Sequence, residues 1–291
     1  MRILIFGKAD LLGNIALNSL MRHLHEEHHL GVFLSDYVVD CEREAPLSDW
    51  LVAHERDFPL NVFFPALDAL ESTNGAKNLT FTALQQRYET PIAMVEQVNS
   101  DETVTQVRDY APDVILSCRH DLIFGPEIIG IPPCGFYNLH PGSLPEYRGL
   151  SATFWTMLDD HIAANCTFYQ IDPGIDTGPI VHREEISLDY SRSLIWNLSR
   201  VYLGGVQAFL RHLPNLCQGP LDSIPQDAGR SRYFSSPTAD DYEKFQEKGY
   251  QVLLPEDYLE ILATYLPDGR SDPLLSEFAR KLPRKQDFGI E

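Results

Sequence analysis

The sequence is most informative first for what it lacks. It contains no run of about 18 apolar residues, so no segment reads as a membrane-spanning helix. It has no basic excess: 42 acidic residues stand against 23 Lys and Arg, a net charge of −19. Polynucleotide binding usually rests on a basic face that neutralises phosphates, so a nucleic-acid substrate is not expected. The five cysteines, Cys41, Cys118, Cys134, Cys166 and Cys217, form no C-x-x-C pair. Unpatterned and odd in number, with an N-terminus that reads MRILIFGKAD rather than as a secretory leader, they predict reduced thiols and a cytoplasmic location. A dinucleotide fingerprint is missing too. Gly7 and Gly13 follow the first apolar run but do not make G-x-G-x-x-G. HEEHH at 25–29 matches a zinc-helix string, yet it falls where a helix runs out, so no metal site is expected there.

What is present is ordinary globular composition, 44% hydrophobic and 22% charged, over 291 residues. Apolar runs at 2–7, 30–36, 60–65, 113–117 and 135–140 read as strands, and the stretches between several of them carry helical spacing. Strand–helix alternation predicts an α/β fold with a mostly parallel, Rossmann-like sheet. The segments 164–172 and 178–188 have only PGIDT between them, so the sheet is expected to be mixed. A long amphipathic helix is predicted over 191–213. Beyond it the texture changes to turns, one aromatic strand candidate and a short helix. The expected organisation is therefore a catalytic domain, 1–215, and a small α+β appendage, 216–291.

The chemistry concentrates in NLHPGSLPEYRG, 138–149. Asn138 and His140 alternate with Leu139, so on a strand both point to one side. They sit at that strand's carboxyl end, where open α/β sheets bind ligands. Pro141 and Pro145 stiffen the segment after the strand, and Gly142 and Gly149 permit turns. Further on, IDPGIDTGPI at 171–180 supplies Asp172, which reads mainly as turn chemistry, and Asp176, placed to face the Asn–His pair.

Together these two segments resemble the formyltransferases that use 10-formyltetrahydrofolate, most nearly those acting on amino sugars; the resemblance covers roughly 80–213. It implies that Asn138, His140 and Asp176 are catalytic. It also implies that Leu122, Ile123 and Phe124, with Ser143, Asp172 and Ile175, contact the folate cosubstrate, and that no metal is needed. Two departures stand out: Gly-Ser-Leu-Pro follows His-Pro, where the family often has Ser-Leu-Leu-Pro, and Ala164–Asn165 replace a usual glycine. Formyl transfer to an amine develops an oxyanion, for which an amide N–H is a suited donor. The amine must also lose a proton. Histidine, with an ordinary pKa near neutrality, can take it; a protonated histidine donating to the oxyanion, with Asp176 as base, is the other assignment.

The implied acceptor is a small-molecule amine. A nucleotide-linked amino sugar comes first, although the charge of −19 weighs against it. An amino-acid or hydroxyornithine-type amine is the alternative, and a non-catalytic binding module of the same fold is a third. The tail 221–291 holds 14 acidic and 9 basic residues, a poor RNA surface. It is expected to complete the acceptor pocket or to make a dimer contact, a homodimer being the assembly that the second use implies. Tyr233 and Phe234 suit stacking on a base, or simple packing.

Overall fold

The computed structural model describes residues 1–70, 75–219, 221–267 and 271–290. The strands are β1 (Arg2–Lys8), β2 (His29–Ser35), β3 (Ile92–Met94), β4 (Val114–Cys118), β5 (Phe136–His140), β6 (Arg148–Gly149), β7 (Ala163–Gln170), β8 (Ile180–Ser187) and β9 (Tyr233–Phe234). Seven of them form one sheet in the order β3-β2-β1-β4-β5-β7-β8. The first five run parallel, and β7 and β8 are antiparallel additions. This is the mixed, mostly parallel α/β architecture that the alternation predicts. The helix Leu11–Leu24 and the long helix Leu194–His212 lie over one face, and their apolar stripes bury against β1, β4, β5 and β7. Asp10 caps the first of these helices, its carboxylate accepting from the Gly13 amide at 2.7 Å.

Two features of this topology place the site. The chain leaves β1 toward β2 and β3 and returns to the other side of β1 as β4, so the strand order reverses between β1 and β4. A crevice opens outside the carboxyl ends at such a switch point. Next to it, β5 pairs antiparallel with β7 so that Asn138 lies directly opposite Tyr169. The two side chains therefore share a face.

The run at 60–65 is not a strand. It belongs to a helical stretch built from Pro46–Val52, the wider π turns Ala53–Asp57 and Pro59–Phe63, and Phe64–Asp68. Phe58, Phe63, Phe64 and Leu67 are buried while Asn61 is exposed, which is a helical rather than a two-residue period. Pro59 and Pro65 lack the N–H that regular helix bonding uses, consistent with the widened turns. The apolar face of this stretch packs with Tyr258, Tyr265 and Phe278 of the C-terminal segment in a second core. In that segment β9 pairs with β6, and the helices Ala239–Glu247, Pro255–Ala263 and Ser271–Lys281 follow.

The cysteines also need correcting. Cys134 and Cys217 are disulfide-bonded, with Cα atoms 4.9 Å apart; Cys41, Cys118 and Cys166 are free. A separation of 83 residues hides this pairing from any spacing argument. It removes the cysteine part of the case for a reducing compartment. Among the described residues no helix is long and apolar enough to cross a membrane.

Candidate active site

A cavity of about 430 Å³ opens at the carboxyl ends of β1, β4 and β5. Its walls include Asn138, His140, Tyr169, Asp172, Ile175 and Asp176, and also Leu122, Ile123 and Phe124. The fold thus brings together eight of the nine residues singled out in the sequence. Ser143 is the exception. It does not line the cavity, and its hydroxyl accepts from Asn165 Nδ2 at 2.8 Å on β7.

The centre of the site is one hydrogen-bonded chain. Asn138 Nδ2 donates to the Tyr169 hydroxyl at 3.2 Å, and that hydroxyl donates to Asp176 Oδ1 at 2.8 Å. Asp176 Oδ2 accepts from the Gly149 amide at 2.8 Å and faces His140 Nδ1 at 3.6 Å. His140 Nε2 lies 2.5 Å from the Tyr147 carbonyl oxygen. A carbonyl only accepts, so Nε2 carries a proton, and Nδ1 is the ring nitrogen left toward Asp176. Burial, reinforced by Asp176, pushes the Tyr169 hydroxyl far above its ordinary pKa, so it stays a protonated donor.

The backbone is held in unusual conformations around this chain. Arg119, Ser151 and Asp176 all have φ between +50° and +60° although none is glycine, and all three line the cavity. Gly142 is needed for packing. A Cβ there would stand 2.5 Å from Ala152 Cβ and 3.0 Å from His140 Nε2. Gly149, at φ +91°, lets the chain run against the Phe234 carbonyl, where a Cβ would meet oxygen at 2.2 Å.

The mouth is apolar. Ile123 and Ile175, 58% and 43% exposed, stand at the cavity wall. Phe124 shows the cavity only part of its surface, since it packs against Phe6, Phe136 and His120. Asp172 behaves as turn chemistry predicts, accepting from the Gly174 amide at 3.1 Å and from the Thr177 hydroxyl. Of the aromatic pair in the tail, Phe234 is stacked between Tyr147 and Trp155, whereas Tyr233 is 61% exposed at the cavity edge.

The β1–β4 end holds a group of residues that the sequence reading missed. Lys8 pairs with Asp121 and, at 3.6 Å, with Glu42. Arg119 pairs with Asp10 at 2.6 Å and with Glu55. Burial pushes the Glu55 carboxyl up to about 7 even against Arg119. The same burial lowers His120, whose Nδ1 bonds the Gly7 carbonyl at 3.1 Å, and so keeps it neutral. A signal for Arg119 and Asp121 was present: C-R-H-D directly follows a predicted buried strand, at the end where ligands bind. Glu42 and Glu55 come from an irregular stretch and carried no such signal. Among the described residues no group of three or more His, Cys, Asp or Glu side chains is arranged to hold a metal ion.

Over residues 70–197 the chain matches the family model described as formyl transferase. A methionyl-tRNA formyltransferase of Thermotoga maritima is 28% identical over 151 residues, 52% of this chain and 48% of that protein. The chain spans about half the length of the curated relatives it matches. In fold it is similar to a 4-N formyltransferase from Francisella tularensis (TM-score 0.53, 14% identity, 84% of this chain and 78% of that one). It is likewise similar to an N-formyltransferase from Helicobacter canadensis in complex with folinic acid and dTDP-3-aminofucose (TM-score 0.51, 16% identity, 81% and 71%). At these identities the two structures speak for the fold.

Proposed function

We propose that this protein transfers the formyl group of 10-formyltetrahydrofolate to the primary amine of a small molecule, with nucleotide-linked amino sugars the first acceptor class to test. The observation that carries the reading is the joining of Asn138, His140 and Asp176 into one network beside the cavity. Fold likeness to N-formyltransferases supports it.

In this reading the second N–H of the Asn138 amide donates to the oxyanion that develops on the formyl carbon. His140 Nδ1 takes the proton of the attacking amine while Nε2–H stays on the Tyr147 carbonyl. The resulting imidazolium faces Asp176, whose charge stabilises it. As the bond from the formyl carbon to the folate nitrogen breaks, His140 returns the proton to that nitrogen. The Tyr147 carbonyl holds a proton on Nε2 in either assignment, so His140 as base and Asp176 as base both remain for the pH profile of turnover to separate. Leu122, Ile123, Phe124 and Ile175 would hold the folate ring at the apolar mouth.

A second acceptor reading has its own observation. Lys8 and Arg119 are the two Lys or Arg side chains in the cavity wall, and both are paired with carboxylates. A diphosphate would find no uncommitted cation among these described residues. That favours an amine without phosphate, such as an amino-acid or hydroxyornithine-type acceptor.

The test is tetrahydrofolate release from 10-formyltetrahydrofolate with a panel of amines: nucleotide-linked 3- and 4-amino sugars, hydroxyornithine, glycinamide ribonucleotide, and water alone. Release with an amino sugar supports the first reading, and release with hydroxyornithine alone supports the second. A chain that does not bind folate would overturn both.

A further inference from the structure

We infer that Tyr169 is a positioning residue that sets which way the Asn138 amide faces; the inference rests on the function proposed above. An asparagine amide presents NH₂ on one side and oxygen on the other, and only the NH₂ side can serve an oxyanion. Nothing in Asn138 itself selects between them. The selection comes from the neighbouring strand. Asn138 and Tyr169 are direct cross-strand partners, and the Tyr169 hydroxyl lies 3.2 Å from Asn138 Nδ2. That hydroxyl has one proton, and Asp176 Oδ1, 2.8 Å away, takes it. A carboxylate only accepts, so the tyrosine oxygen is left to accept from Asn138. A flipped amide would set its oxygen against that lone pair.

The order of donors therefore runs in one direction, from Asn138 through Tyr169 to Asp176. The carboxylate that faces His140 also fixes, two hydrogen bonds away, the donor that His140 works beside. Tyr169 is buried, 4% exposed, and its hydroxyl is held protonated, so the relay does not depend on solvent. Asn138 Nδ2 keeps its second hydrogen for the cavity.

The test is a double-mutant cycle on the full chain. Tyr169→Phe keeps the ring and removes the hydroxyl. The expected result is a fall in kcat of about 3- to 10-fold, the size of one neutral hydrogen bond, with KM for both substrates within about twofold. In an Asn138→Ala background the same substitution is expected to change kcat by less than about twofold, because no amide remains to orient. A merely structural role would lower kcat by the same factor in both backgrounds, and that result overturns the inference. So does an unchanged kcat in the single variant.

A readout independent of turnover separates failure of this inference from failure of the proposed activity. The side-chain NH₂ resonances of Asn138, assigned by their loss in Asn138→Ala, are expected as two resolved peaks in the wild type and as exchange-broadened ones in Tyr169→Phe. Unaltered peaks in the variant overturn the positioning role whatever the activity proves to be. If Tyr169→Phe does not fold, Tyr169→His, which can still accept at the ring, serves in the same cycle and is expected to retain more kcat than Tyr169→Leu; equal losses count against the inference.

Discussion

At the β5 end of the cavity, Asn138, Tyr169 and Asp176 make one line of hydrogen bonds, and His140 faces the same carboxylate at 3.6 Å. At the β1–β4 end, Lys8 and Arg119 are each held between two carboxylates. The first end is sparing in charge and, in the proposed reading, leaves an amide hydrogen and one imidazole nitrogen for a reacting group. The second is saturated with charge, and its cations are committed inside the protein. In the proposed reading one end reacts and the other holds a shape, although both sit at strand ends where open α/β sheets bind ligands. Substitutions at the two ends should therefore separate into effects on turnover and effects on stability.

The largest effect is expected at the charged end. Arg119→Met leaves Asp10 and Glu55 buried without their partner, at 1% and 12% side-chain exposure. Breaking a buried pair on one side typically costs about 3–5 kcal/mol. Urea denaturation of the variant should show a loss of that size. A variant as stable as the wild type would mean that this end is a solvated binding surface and not a structural one.

Asn138→Ala probes the opposite end. Removing one oxyanion donor is worth about 2.7–4 kcal/mol in the transition state, so kcat should fall about 10²–10³-fold. The urea midpoint should move far less than in Arg119→Met. Activity within a few-fold of wild type, in this variant and in His140→Ala, sinks the catalytic assignment. Gly142→Ala joins the two kinds of effect. Its new Cβ would crowd Ala152 and His140 Nε2. Overpacking of this kind costs about 1–3 kcal/mol. Because the displaced neighbour is the imidazole, kcat should fall along with stability. A stability loss with kcat intact would show that His140 need not sit where Tyr147 holds it.

The same contrast explains how much could be read from the sequence. The proposed catalytic end is contiguous: Asn138 and His140 lie on one strand, and Asp176 follows in a Pro-Gly turn that announces itself. Tyr169 went unnoticed because its partner is set by antiparallel register, and a register is a property of two strands together. The charged end comes from four separate segments, around Lys8, Glu42, Glu55 and Arg119, and no spacing rule links them. The misread strand at 60–65 has the same origin. Its phenylalanines form a short apolar run that fits either period, and only the aromatic residues of the C-terminal segment, Tyr265 and Phe278, decide for the helix. The parallel sheet was legible because buried strands bounded by helices leave a local signature, whereas the Cys134–Cys217 pairing leaves none.

The smallest effect is one of pH, and it belongs to Glu55. Burial raises this carboxyl from an ordinary 4.5 to about 7. An unfolded chain releases the proton near the ordinary value, and the folded chain keeps it until about 7. Between those pH values the folded state binds the more protons, so stability falls as pH rises through the window. The expected change is at most about 1.4 kcal/mol per pH unit within the window, with the attraction of Arg119 already contained in the raised value. Glu55→Gln cannot ionise and should flatten this slope between about pH 4.5 and 7, measured as the urea midpoint across that range. Asn138→Ala, at the other end of the cavity, should leave the slope as it is. An identical slope in wild type and Glu55→Gln would show that the carboxyl is already ionised throughout. The charged end would then carry two complete ion-paired clusters and present the acceptor with more negative charge, which strengthens the case for an acceptor without phosphate.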